Sequence, residues 1–501
     1  MTPAAAESSP FQRGMIAISV MLATVLQVLD TTIATVALPH MQGSMSATQD
    51  QISWVLTSYL IAAAIATPLT GVLAARFGRK RLFLAAVLGF TVTSMLCGIA
   101  TSLPEMVIFR LLQGAFGAAL VPLSQSVLLD TYPREQHGSA MAIWGVGIMV
   151  GPILGPTLGG YLTEVYNWRW VFYVNLPFGI LAMLGIMTFV SETDRDRTRG
   201  FDFYGFALLS LAVGAFQLAL DRGQSKDWFS SSEIVLEMAL AAVFFYTFIV
   251  HIFTHKKPFV DPALFKDRNF TTGLFFIFMV SMIMLSTMAL LPPFLQNLKG
   301  YPVLTTGYIL APRGIGTMIA MVLVGRLINT TDSRLLILAG IGLTSFSLWQ
   351  MSNFNVYVPI SDIVWTGVVQ GFGLGFIFVP LSTVTFSTLA PERRTDGASI
   401  FSLVRNIGAG IGVSVMVTLL AQSTQISHAG IVENLSPFRI PLQPPFLPQA
   451  WNWHFPSGVI ALNGEATRQA ATIAYLNDFT VMMWVTLLAA PLILLLKKTR
   501  S

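Results

Sequence analysis

Apolar residues run along this chain in long stretches parted by short polar breaks. A helix needs about 20 mainly apolar residues to cross the hydrocarbon core of a bilayer. The pattern predicts fourteen such helices, spans 1 to 14: 14–37, 53–75, 82–101, 104–129, 140–162, 171–190, 203–220, 233–253, 271–291, 305–327, 335–351, 363–388, 400–421 and 480–496. The break at 422–479 is too long for a plain connector. It holds Pro437, Pro441, Pro444, Pro445, Pro448 and Pro456 with Trp451, Trp453 and Phe455, and is expected to be a long loop. Span 5 has a pattern of its own. Gly147, Gly151, Gly155 and Gly159 recur every four residues and give a helix one bare face that a neighbouring backbone can approach closely. Pro152 and Pro156 remove ladder hydrogen bonds from one side and bend it.

The chain also repeats itself. The stretch Q-G-A-F-G-A-A-L-V-P-L-S from Gln113 matches Q-G-F-G-L-G-F-I-F-V-P-L-S from Gln370. Tyr132-Pro133-Arg134-Glu135 matches Ala390-Pro391-Glu392-Arg393, and Gly71-Val-Leu73 matches Gly325-Arg-Leu327. The offset stays between 254 and 258 residues. The expected organisation is a six-helix bundle over 1–195, two inserted helices over 196–260, and a second six-helix bundle over 261–501 that carries the 422–479 loop. Two related bundles with a site between them near the midplane is the architecture of a transporter.

Charge refines this picture. The chain is 54% hydrophobic and 11% charged, against about 25% charged in a soluble domain. With the N-terminus inside, 20 of the 29 Lys and Arg fall on inner segments, 6 on outer ones, and Arg110, Arg313 and Arg405 within spans. That asymmetry fits the positive-inside rule with both termini cytoplasmic. It also removes any need to read the net charge of +5 as nucleic-acid binding. The single Cys97 lies in an apolar run, so no disulfide framework or thiolate cluster is expected. No cleavable signal stands out at the start. The glycine-rich stretches hold no G-x-x-x-x-G-K-[ST] and follow no strand, which disfavours an ATP-driven pump. The six histidines, His40 and His251 among them, are assigned no role, and no metal site is expected.

Five stretches, in order, carry a resemblance to a known family. Gly71-Val-Leu-Ala-Ala-Arg76-Phe-Gly78-Arg79-Lys80-Arg81 resembles the inner-loop motif of the major facilitator superfamily, and Arg110-Leu-Leu-Gln113-Gly114 its fourth-helix motif. Gly151-Pro152-Ile-Leu-Gly155-Pro156-Thr-Leu-Gly159-Gly160 resembles the fifth-helix motif of its antiporters. Leu26-Gln27-Val28-Leu29-Asp30-Thr31-Thr32-Ile33-Ala34, and Leu220-Asp221-Arg222-Gly223 with Asp227-Trp228-Phe229, look like stretches of its fourteen-span drug:proton exporters. The resemblance implies an all-α membrane protein of the major facilitator fold, sited in a bacterial inner membrane and driven by the proton gradient without another cofactor. It also implies a periplasmic membrane-fusion adaptor and, through it, an outer-membrane channel. One position departs from the family: Ala75 stands where the inner-loop motif usually has an Asp that anchors the inward gate, so that contact is absent or replaced.

Asp30 is the leading candidate for chemistry. A carboxylate two-thirds through span 1 is costly to keep charged, which favours taking a proton from one side and releasing it to the other. Arg110 sits at a similar depth in span 4, so Asp30 is either a proton carrier, a structural ion pair with Arg110, or both. Arg110 has backbone carbonyls as an alternative partner. Gln27, Gln113, Trp144 and Gln370 are polar or aromatic at span-interior positions and are expected at a central cavity. Arg313 and Arg405 either reach that cavity or settle helix packing. Glu237, near the start of span 8, is expected to snorkel. Gly71, Arg76, Gly78 and Arg79 are expected at the inner gate. The bent glycine face of span 5 is expected to seal the junction between the halves. The 422–479 loop either docks a partner or caps the outer mouth. The function these residues imply is proton-coupled export of hydrophobic or amphiphilic compounds by alternating access. Export of one metabolite such as a siderophore or lipid, and a non-transporting receptor with the same fold, are the alternatives.

Overall fold

A computed structural model describes residues 9–193, 195, 200–435, 451 and 455–497. Among these, thirteen helices are long and apolar enough to cross a bilayer, and one bent pair makes the fourteenth. That pair is span 2, where Gln49–Ala66 gives way to Leu69–Phe77 at an angle of 56°. Pro68 sits at the break, where it cannot donate to the helix ladder.

The pairing of helices is repeated. Span 1 (Pro10–Ser44) packs on span 5 (His137–Val165), as span 9 (Arg268–Leu298) packs on span 13 (Arg394–Glu433). Span 4 (Leu103–Thr131) packs on spans 2 and 3, as span 12 (Ile360–Ser387) packs on spans 10 and 11. Span 3 (Arg79–Ile99) meets span 6 (Trp170–Phe189), as span 11 (Ser333–Met351) meets span 14 (Pro456–Leu488). The inserted spans 7 (Phe203–Arg222) and 8 (Ser232–Thr254) pair with each other, and span 7 leans on spans 2 and 13.

The halves meet along span 5 and span 10 (Leu304–Leu327), and at one end where span 13 touches the last turns of spans 2 and 4. That end carries Arg79, Arg334 and Arg394, and is called the basic end below. The expected loop at 422–479 is corrected in part. Span 13 continues as helix to Glu433 and span 14 begins at Pro456, so helix covers both flanks of that stretch. Polar residues such as Arg468, Asn477 and Asp478 interrupt its apolar pattern and hide the helix from a hydropathy reading. Residues 436–450 and 452–454, with most of the prolines and Trp453, lie outside the described residues, as do Arg197, Arg199, Arg439, Lys498 and Arg500.

Candidate functional site

Four helices converge on Asp30. Its Oδ2 accepts from Arg110 Nη1 at 2.6 Å, and its Oδ1 from Gln113 Nε2 and Asn175 Nδ2, both at 2.8 Å. Arg110 also donates to Gln113 Oε1 at 2.7 Å and, from Nε, to the Val55 carbonyl at 3.0 Å. Its guanidinium lies 4.3 Å from the Tyr59 ring centroid and 5.7 Å from that of Phe172. The pair is sealed, with side-chain exposures of 0% for Arg110 and 1% for Asp30. Charge-assisted bonds in a dry site are strong, and a buried pair that loses one member leaves the other uncompensated. Arg110 Nη2 has no partner among the described residues, so the network holds one spare donor beside the carboxylate.

The glycine face of span 5 holds the acid in place. A Cβ on Gly151 would lie 2.7 Å from the Val28 carbonyl carbon, and one on Gly159 would lie 3.3 Å from the Ile33 carbonyl oxygen. Thr32 Oγ1 donates to the Gly151 carbonyl at 3.1 Å. Gly147 meets Met21 and Gly155 meets Thr32 on the same helix. All four glycines therefore face span 1, inside the first bundle. This corrects the expectation that they seal the halves. The inter-bundle face of span 5 is a different one, on which Gly138 meets Ile328, Gly145 meets Met321 and Ile153 meets Gly314 of span 10. Pro152 and Pro156 lie in the continuous helix His137–Val165.

The second bundle repeats the geometry without the charges. Asp30 and Thr287 are 257 residues apart, as are Arg110 and Gly367, and Gln113 and Gln370. Gln370 Nε2 donates to Thr287 Oγ1 at 3.3 Å, the counterpart of Gln113 on Asp30. Thr287 Oγ1 in turn lies 3.7 Å from Met482 Sδ, on span 14, where the first bundle places Asn175 on span 6. Gly367 faces the Cβ of Arg313.

The remaining cavity candidates scatter. Trp144 is fully buried and stacks on Phe378 of span 12 across the junction, with centroids 5.8 Å apart. Gln27 is half-buried with Oε1 unpartnered among the described residues. Arg313 is buried and reaches the Met284 carbonyl at 3.4 Å, and Arg405 bonds Ser402 Oγ at 3.3 Å. Neither arginine has a carboxylate partner among the described residues.

At the basic end, Asp130 of span 4 pairs with Arg79 and, across the junction, with Arg394 of span 13 at 2.7 Å. Ser126 and Thr395 bond across it at 2.8 Å. Gly71 lies against Asp396, whose carboxylate occupies the space a Cβ would need. Gly78 has φ +92, the left-handed region that favours glycine, and turns the chain from span 2 to span 3 beside Glu192. Arg76 is exposed over its neighbour Phe77 and takes no part in the clasp. The acid missing at Ala75 is thus replaced by acids on spans 4 and 13.

Elsewhere, Glu237 accepts from Arg222 at 3.3 Å, where snorkelling was expected. His251 and His255, one helical turn apart, stack at 4.8 Å near Asp202. Asp202 is already committed. Burial pushes its carboxyl up, but the amides of Gly205 and Phe259 and the His251 ring outweigh this and hold it below the usual range. The cluster therefore acts as a joint between spans 7 and 8. Sequence reasoning missed Asn175, Tyr59 and Asp478. Asn175 was visible as the one amide inside span 6. Asp478 was hidden by the late start assigned to span 14.

Comparison with known proteins follows from this geometry. The profile of the Major Facilitator Superfamily matches residues 20–413. The chain is 37% identical over 423 residues to the multidrug export protein EmrB of Escherichia coli K12, covering 84% of this chain and 83% of that protein. It is 38% identical over 425 residues to the fatty acid resistance protein FarB of Neisseria gonorrhoeae, covering 84% of each. Among solved structures, the human organic anion transporter MFSD10 (TETRAN) superposes with a TM-score of 0.60 at 14% identity, over 95% of this chain and 99% of that one. That likeness shows the fold.

Proposed function

The chain belongs to the Major Facilitator Superfamily, and from that premise we propose that it exports hydrophobic or amphiphilic compounds across a bacterial inner membrane in exchange for protons. The observation that carries this reading is the buried Asp30–Arg110 pair, tied through Gln113, Asn175 and the Val55 carbonyl to three other helices of the first bundle. An intramembrane acid is functional by default. A proton arriving at Asp30 would remove the charge that Arg110 holds and loosen spans 1, 2, 4 and 6 together. The clasp at Asp130 closes the basic end, which the positive-inside rule assigns to the cytoplasm with both termini there. Release of that clasp would open the basic end in the other half of the cycle. Substrate would favour the opposite transition, so the two ligands drive alternate halves of one cycle. Relatives named for multidrug export support the substrate class.

A second observation bears on substrate. Arg313 and Arg405 are cations in the second bundle without carboxylate partners among the described residues, a setting that favours an anionic head group on some substrates. The relative named for fatty acid resistance supports this extension. A periplasmic adaptor leading to an outer-membrane channel would dock at the helix ends near Glu433 and Pro456.

Everted membrane vesicles with an imposed pH gradient, acid inside, test the reading. Lipophilic dyes should accumulate inside vesicles that contain the chain and leak back when the gradient collapses. No movement of any dye would favour a receptor. Movement of one metabolite and no general dye would favour a narrow exporter. Arg313→Gln and Arg405→Gln should slow lipophilic anions more than cations.

A further inference from the structure

Span 14 carries a second buried acid that the exchange reading does not use. Asp478 is 1% exposed. Its Oδ2 has no hydrogen-bond partner, and no ion pair reaches it among the described residues. Its neighbours along the helix, Tyr475, Phe479 and Met482, belong to an apolar cluster with Leu290, Phe294 and Met351. An ionised carboxylate with a buried, unpartnered oxygen in apolar surroundings is costly. In practice such a group takes up a proton instead.

The cations on the packed elements bond other groups. Spans 9, 11 and 13 flank span 14. Arg268 and Arg334 bond the Leu495 and Leu496 carbonyls at the basic end. Lys299 bonds the Val356 and Val358 carbonyls at the opposite end. Arg405 bonds Ser402, and His428 bonds Asn463. Arg394 is paired with Asp130, and Arg468, on span 14 itself, with Glu465. Tyr475 is the titratable neighbour, one turn away, and is itself buried.

Place in the fold adds to this. Met482, which accepts from Thr287, is one helical turn from Asp478 on the same face. Asp478 therefore sits one turn from the layer that corresponds, in the second bundle, to Asp30.

We propose that Asp478 is a second proton-binding site, occupied in the conformation described here, so that the chain holds one charged acid in its first bundle and one neutral acid in its second. This rests on the exchange reading for its role in the cycle, but its protonation can be measured without transport. The infrared spectrum of the intact purified protein at neutral pH should contain a band from a protonated carboxyl group, and Asp478→Asn should remove it. Asp478→Asn should also match the wild type in thermal stability, because an amide resembles the neutral acid. A spectrum without that band, or a band that survives in Asp478→Asn, overturns the proposal.

If Asp478→Asn does not fold, a hydrophobic carbodiimide replaces the variant. Such a reagent adds the O–H of a neutral carboxyl across its C=N bond and leaves carboxylates in ion pairs alone. Mass spectrometry of the wild type should then find the adduct on the peptide with Asp478 and not on the peptide with Asp30. An unmodified Asp478 overturns the proposal. Failure of the exchange reading would leave band and adduct in place and appear only in the vesicle assay, as no dye movement or as movement that ignores the pH gradient.

Discussion

The two bundles share a scaffold and differ at its centre. In the first, Asp30, Arg110, Gln113 and Asn175 form a closed charged network. In the second, Gln370, Thr287 and Met482 form a single neutral chain of contacts, and Gly367 stands where the first bundle has Arg110. The helix pairing that positions them is repeated, so architecture alone does not make a switch. A buried ion pair contributes little net stability but makes the loss of either charge expensive. At this layer the cost of losing a charge therefore falls on the first bundle alone.

The comparison is broken most severely by taking away the cation. Arg110→Leu leaves Asp30 buried and uncompensated, and should destabilise the protein by roughly 3–5 kcal/mol. Thermal unfolding in detergent would show it, and Asp30→Asn added to Arg110→Leu should recover much of the loss. Next comes Gly151→Val. A side chain there collides with the Val28 backbone, and overpacking of this kind costs typically about 1–3 kcal/mol. Because the collision falls two residues from Asp30 on span 1, export should fall further than stability does.

Arg394→Ala tests the junction. It removes the cross-bundle partner of Asp130 and should open the basic end in a larger fraction of molecules, read by cysteine labelling at position 126 with little change in unfolding temperature. The mildest expected effect is Thr287→Val. It removes one neutral hydrogen bond from Gln370, which is worth about 1 kcal/mol or less, and should leave the pH dependence of export intact. A Thr287→Val variant that lost proton coupling would erase the distinction between the bundles.

Much of this fold could be read from the chain because lipid imposes a coarse rule. Each span must be apolar over its length, and the loops between most of them are short. Where a span is not apolar, the rule misleads. Span 14 carries Arg468, Asn477 and Asp478 on a helix that starts at Pro456, and its first half resembles a connector. The meeting of Asp30 with Arg110 was legible from matched depth in spans 1 and 4. Which face met which was not. The four-residue period of Gly147, Gly151, Gly155 and Gly159 announces a close contact without naming its partner, and the partner is span 1 within the same bundle. The replacement for the acid missing at Ala75 was equally invisible, because Asp130 and Asp396 come from positions 55 and 321 residues later in the chain.

The account turns on Asp30 as the group whose proton drives the exchange. The direct test is Asp30→Asn in everted vesicles under an imposed pH gradient, with dye binding measured on the same preparation. The account predicts that the variant still binds dye while gradient-driven export falls to the background of empty vesicles. Export by Asp30→Asn at the wild-type rate, under the same gradient and at equal protein, would contradict it.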